Sequence, residues 1–368
     1  MCYTKSEAAE TTPWPSMQHH IHELIVAHVF DLLMGTSSGP TIKLFERYSQ
    51  SWNYIDRSNL ESSANDQVVT AIVGPVKESL IQFFQNQLKE FQPRDDYKEL
   101  LQLALIFLGD DLSSIHINAP GAYHRARWMS KMIYTLKIYL FRSQFQLTTT
   151  ELSGLQQFNA FVVKLYLKAW YTCMSSTSAP RNDLQLLKDL TEYIAVNKRV
   201  ACEARRTLMR HLWYLSETLV GLAFFDCGIA DAEKLRMVAA LSKLGEDSDL
   251  IHVQSVDENN ISTLSLSDFV PSNTNKFFAA SHIETDFIQQ HPSSWGSSDV
   301  YQISCDRVKR LKVVNDAAER GVALIQNFNS ILTNQEEQKQ YLLQVVEHHR
   351  QQFPMSKKSI IVDKLSSD

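Results

Sequence analysis

The sequence predicts a mainly α-helical protein, and three observations carry that expectation. Glycine (11) and proline (10) are scarce in 368 residues, while Phe, Tyr and Trp reach 10%. So few turn-formers argue against a many-stranded sandwich or a glycine-looped nucleotide fold. Apolar residues recur at three- and four-residue spacing over long stretches, which is the period of one helix face. With 44% apolar and 21% charged residues, the chain has enough apolar surface to fill a core.

The elements follow in order. The first 16 residues are polar and carry Pro13 and Pro15, so they read as a disordered arm. Ile21, Leu24, Ile25, Val29, Leu32 and Leu33 mark a helix that GTSSGP at 35–40 stops. Leu44, Phe45, Tyr48 and Trp52 mark a short second helix. A third starts around Pro75 and carries Val76, Leu80, Phe83, Phe84 and Leu88. Proline suits a first helical turn, because that N–H has no helical partner. Tyr97 to Leu108 is a further apolar helix. A Pro-Gly turn at 120–121 then leads into a long amphipathic helix with Trp128, Met132, Ile133, Leu136, Tyr139 and Leu140. Leu155 to Tyr171, Leu184 to Val196, Glu203 to Phe225 and Ala232 to Leu244 also read as helices, and 174–183 as a linker. From 245 to 275 the chain has six acids and no Lys or Arg, with one plausible β segment, Leu250 to Val256. Val308 to Ile331 and Glu336 to Phe353 read as two closing helices before a basic tail.

Charge is segregated along the chain. Between Leu112 and Asn182, Arg125, Arg127, Lys131, Lys137, Arg142, Lys164, Lys168 and Arg181 face a single acid, Glu151. That local balance of +7 sits inside a chain of net charge −5. Two shorter basic clusters follow, Lys198, Arg199, Arg205, Arg206, Arg210 and Arg307, Lys309, Arg310, Lys312. A phosphate-binding face needs such segregation, and Trp128, Tyr134 and Tyr139 could add stacking planes. The plainer reading is a set of solvated helix faces, with the aromatics in the core.

Other chemistry is sparse. HHIHE at 19–23 places His19 and Glu23 at i, i+4 and His19 and His22 at i, i+3, spacings that could share a metal. It is not H-E-x-x-H, because Val26 stands where the second histidine belongs. The competing reading is a helix face of capping and core histidines. No G-x-G-x-x-G, Walker A or G-x-S-x-G motif occurs, which removes the main support for nucleotide and α/β-hydrolase folds. The five cysteines are scattered without a C-x-x-C pair, as in a reduced intracellular protein. No run of 18 apolar residues occurs, so no transmembrane helix is expected. Asp316 and Glu319 lie one turn apart on an apolar helix, either as a candidate ligand pair or as a dipole-complementing Asp beside an exposed Glu.

Three segments, taken in order, resemble the C-terminal part of a hAT-type cut-and-paste DNA transposase. MQHHIHELIVAHVF (17–30) resembles the family's C-x-x-H block; His20 matches its histidine, and Met17 stands where cysteine is expected. ARWMSKMIY (126–134) resembles the Arg-Trp block of the helical insertion domain. NDAAERGVALI (315–325) resembles the last acid-bearing helix, with Val322–Ala323 in place of Phe-Ser. The resemblance implies an RNase H-like core interrupted by an all-α insertion. In that family two aspartates and a glutamate hold two Mg²⁺ or Mn²⁺ ions for strand transfer. Glu319 would match the third acid, Trp128 the tryptophan that stacks on a flipped base, and Arg127 a strand-gripping residue. Arg125 and Lys131 complete the DNA-binding set.

Both family aspartates lie upstream of the C-x-x-H block, and the 16 residues before Met17 contain none. The expectation is therefore a truncated or domesticated relative, without catalysis or metal of its own, that keeps DNA binding and self-association and works in the nucleus rather than the cytoplasm. No membrane partner is expected. The expected organisation is an arm (1–16), a helical segment (17–115), a helical insertion-like domain with a basic face (116–245), an acidic loop or insertion (246–300), C-terminal helices of an RNase H-like α/β remnant (301–353) and a flexible tail (354–368). Two rivals stand beside it: a helical protein–protein scaffold whose acidic loop docks a basic partner, and a metal-dependent hydrolase centred on His19, His22 and Glu23.

Overall fold

The computed structural model describes residues 18–36, 41–92, 95–110, 117–121, 128–242 and 260–311. These residues are mainly helical, with no β-strand among them. The helices are α1 (Gln18–Met34), α2 (Lys43–Ser51), α3 (Gln67–Val73), α4 (Lys77–Lys89), α5 (Asp95–Leu108), α6 (Trp128–Leu140), α7 (Thr149–Phe161), α8 (Leu167–Thr172), α9 (Ala179–Glu192), α10 (Ile194–Met209), α11 (Asp231–Leu241), α12 (Asn275–Ala280), α13 (Pro292–Trp295) and α14 (Asp299–Lys309).

Local chemistry explains the boundaries. α1 stops where Gly35 takes φ 81°, a left-handed conformation that costs glycine little, and its N–H caps the Asp31 carbonyl. The Asp66 carboxylate accepts from the Val68 and Val69 amides at the start of α3. The same carboxylate accepts from Tyr139 Oη (2.7 Å) and Gln156 Nε2 (2.8 Å), tying α3 to α6 and α7. α7 opens on a capping box, Thr148 with Glu151. It runs through a π-helical turn (Val162–Tyr166) into α8. α10 is broken at Asn197 (φ −151°, ψ 94°), whose side chain caps the Val200 amide and bonds Gln157.

Each neighbour buries an apolar stripe on the next. α4 packs on α5, α5 on α6, α6 on α7, α7 on α1, α1 on α10 and α10 on α9. A second aromatic cluster joins Phe224, Phe225, Phe278, Phe287, Trp295 and Tyr301, with ring centroids 5–6.5 Å apart.

Two expectations need correction. The helix expected around Pro75 is preceded by α3, and Pro75 lies in a short 3₁₀ turn (Gly74–Val76) between α3 and α4. The expected Glu203–Phe225 helix ends at Met209. Leu219–Phe225 is instead a 3₁₀ helix with all seven residues buried. Its narrow cross-section lets Gly221 meet the Phe277 ring, where even a Cβ would come within 2.5 Å of Cδ1. Of the six acids of 245–275 only Asp268 is described; it lies in a short 3₁₀ turn (Leu266–Phe269) and accepts from the Ser265 amide at 2.7 Å. From 260 onward Ile261, Leu264, Leu266, Phe269, Phe277, Phe278 and Phe287 are buried. The expected β segment 250–256 and the closing helices beyond Leu311 lie outside the described residues.

Candidate nucleic-acid interface

The first two motif blocks come together in the fold. α1 and α6 are neighbours, and the Lys131 ammonium lies 5.9 Å from the Phe30 ring centroid. Within HHIHE, helical geometry sends the residues to two faces. His19 is buried with its ring stacked on Trp170 at 3.9 Å. His22 is buried with its edge toward Tyr166. Burial, reinforced by neighbouring His19, pulls the His22 pKa down to about 3, so its imidazole is neutral at physiological pH. His20 and Glu23 turn outward, with Nδ1 to Oε2 at 3.5 Å. Among the described residues no group of three or more His, Cys, Asp or Glu is placed to hold a metal.

Of the expected DNA-binding residues, Arg125 and Arg127 lie outside the described set. Trp128 opens α6, and its side chain also lies outside that set. Lys131 is 4% exposed, a poor position for gripping a phosphate. Tyr134 and Tyr139 are core residues, not stacking platforms: the Tyr134 ring lies parallel to Phe45 at 4.5 Å, and Tyr139 packs on Phe107. Glu319 is outside the described residues.

The basic segment is basic along the chain but not across one exposed surface. Lys137 is 1% exposed, forms an ion pair with Glu99 at 2.7 Å and donates a hydrogen bond to the Asn118 carbonyl at 2.8 Å. Arg142 pairs with the Glu61 carboxylate at 3.2 Å, donates to the Glu61, Ser62 and Tyr139 carbonyls and covers the Tyr139 ring. Arg181 grips Asp226 at 2.6 Å. Lys164 donates to the Ile72 carbonyl at the end of α3, and burial lowers its pKa. The partner acids Glu61, Glu99 and Asp226 all lie outside 112–182. A count along the sequence could not see them. Lys168 is the one exposed cation of this segment among the described residues.

The other clusters are partly spent as well. Arg205 is buried, Arg206 pairs with Glu203, and Arg307 donates to the Ser281 and His282 carbonyls. Lys198, Arg199, Arg210, Lys309 and Arg310 remain exposed. His211 has its pKa lowered by burial, then by nearby His20 and Arg210. No protein-family model, curated protein or solved structure matches this chain.

Sequence reasoning missed one polar constellation. Lys164 and Lys168 face Asp189 and Glu192 across a cleft beside the π-helical turn. No local sequence signal announces a π turn, and the four charges come from two separate helices.

Proposed function

We propose that this chain is a transposase-derived helical protein that contacts DNA and self-associates without performing strand transfer. The observation that carries this reading is the order of the three hAT-like blocks, the first two of which belong to neighbouring helices, α1 and α6. Of the family's three acids, the resemblance places only Glu319 within these 368 residues. One carboxylate does not hold two divalent ions. Residues 301–353 would be the remnant of the RNase H-like core, and the helices around α6 the insertion domain. With most described cations of 112–182 engaged internally, DNA contact falls to Arg125, Arg127, Trp128 and the exposed Lys168.

The test has two arms. In a nicking assay with Mn²⁺ on hairpin and linear DNA, this chain is expected to leave both intact, and robust Glu319-dependent cleavage would overturn the non-catalytic part. In a binding assay at low salt, Arg127→Ala and Trp128→Ala each weaken affinity, and absence of binding by the parent chain would overturn the DNA part.

A second reading, the helical scaffold, is favoured by the internal use of the cations and by outward aromatics, Tyr54 (90% exposed) and Phe91 (89%). A protein partner retained after nuclease digestion supports it over the first.

A further inference from the structure

The cleft beside the π-helical turn has a volume of about 540 Å³, within the range of small-ligand sites. Val76, Leu80 and Phe83, from the 3₁₀ turn and α4, make an apolar wall. Lys164 and Lys168 stand on a second wall, one turn apart, and Asp189 and Glu192 stand on a third. The π turn supplies the geometry: its extra residue per turn shifts the register of the helix, and π turns recur at functional sites.

The charges on the two walls do not close on each other. Among the described residues no salt bridge joins either lysine to either acid, although Glu192 acts electrostatically on Lys164 and Lys168 on Asp189. Lys164 spends a hydrogen on the Ile72 carbonyl, and Asp189 accepts from Gln185 at 2.7 Å. Burial shifts both groups toward their neutral forms, Lys164 down and Asp189 up, so the cleft is partly desolvated. Opposite charges held apart over an apolar wall leave desolvation only partly offset. A ligand that carries both charges would complete both sides at once.

We propose that this cleft binds a small zwitterion with an apolar body, of about dipeptide size, its carboxylate toward Lys164 and Lys168 and its ammonium toward Asp189 and Glu192. A free apolar amino acid and a short peptide offer the same chemistry. Length separates them, because a single residue fills less of the cleft.

The experiment is calorimetric titration of the full chain with four probes: L-leucyl-L-phenylalanine, its N-acetyl form, its C-terminal amide and free L-phenylalanine. Saturable binding of the dipeptide is expected, with each capped form weaker by about tenfold, the order of one charge-assisted contact. Free phenylalanine binding as tightly as the dipeptide would support the zwitterion site and assign it to amino acids. Val196→Trp, placed at the rim where Val196 is 41% exposed, blocks the cleft and abolishes binding. Lys168→Glu, at an exposed position that leaves the core untouched, weakens the dipeptide about tenfold and guards against misfolding of the Trp variant. No saturable binding of any probe, capped forms that bind as tightly as the free dipeptide, or unchanged binding by both variants would overturn the proposal.

Discussion

Replacing Lys137 with methionine tests how the positive charge of residues 112–182 is used. Lys137 is 1% exposed, and its ammonium stands 2.7 Å from a Glu99 carboxylate that keeps 14% of its side-chain surface. The contact is short but does not meet hydrogen-bond geometry at Glu99 Oε1, so it is chiefly an ion pair. Lys137→Met keeps the volume of the stem and removes the charge, leaving Glu99 without this partner. Breaking a buried pair on one side costs about 3–5 kcal/mol, and the residual access of Glu99 to water places this case near the lower end, about 3 kcal/mol. For a chain of this size that corresponds to a melting temperature lower by about 4 °C. Removing both charges in Lys137→Met/Glu99→Leu should recover most of the loss, because two apolar side chains need no compensation. Urea denaturation of the single and double variants, analysed as a double-mutant cycle, gives the coupling directly. A single variant as stable as the parent would refute the internal assignment of this charge.

Gly221→Ala would drive a methyl into the Phe277 ring and should cost about 1–3 kcal/mol by overpacking, read as a lower urea midpoint with an unchanged m-value. The His22 imidazole has its pKa near 3 in the fold and about 6.5 unfolded, so the unfolded chain holds the extra proton between those values. Its contribution is therefore present above about pH 6.5 and lost as pH falls. Between pH 7 and pH 5 stability should drop by about 2 kcal/mol from this group, and His22→Gln should flatten the slope by about one proton. Arg142→Met removes the pair to Glu61 and the hydrogen bonds to three backbone carbonyls. The expected loss is about 2–4 kcal/mol in the same assay, more than a surface arginine gives.

Much of the helical order is legible in local chemistry. The Ile21–Leu33 stripe announces α1, while α7 opens at the Thr148–Glu151 capping box, ahead of Leu155 where the apolar spacing starts it. What escaped the sequence depends on partners far along the chain. Asn197 breaks α10 while reaching Gln157, and Leu219–Phe225 tightens to a 3₁₀ helix with Gly221 against Phe277. Beyond the acidic stretch, the buried aromatics Phe277, Phe278 and Phe287 form a packed unit whose partners Phe224, Phe225 and Tyr301 lie elsewhere in the chain. The candidate interface was the least legible feature. Its cations are adjacent in sequence, but Glu99, Glu61 and Asp226 arrive from elsewhere to engage them.

The salt dependence of DNA binding tests the central claim most directly. The observed constant for duplex DNA falls with a log–log slope of about −0.9 per phosphate neutralised. If Arg125, Arg127 and Lys168 are the contacting cations of this segment, titration from low to moderate salt should give a slope of about −3, and Arg127→Ala should reduce its magnitude by about one. A slope near −7, which all eight cations of 112–182 would produce, or no salt-dependent binding at all, would contradict the account.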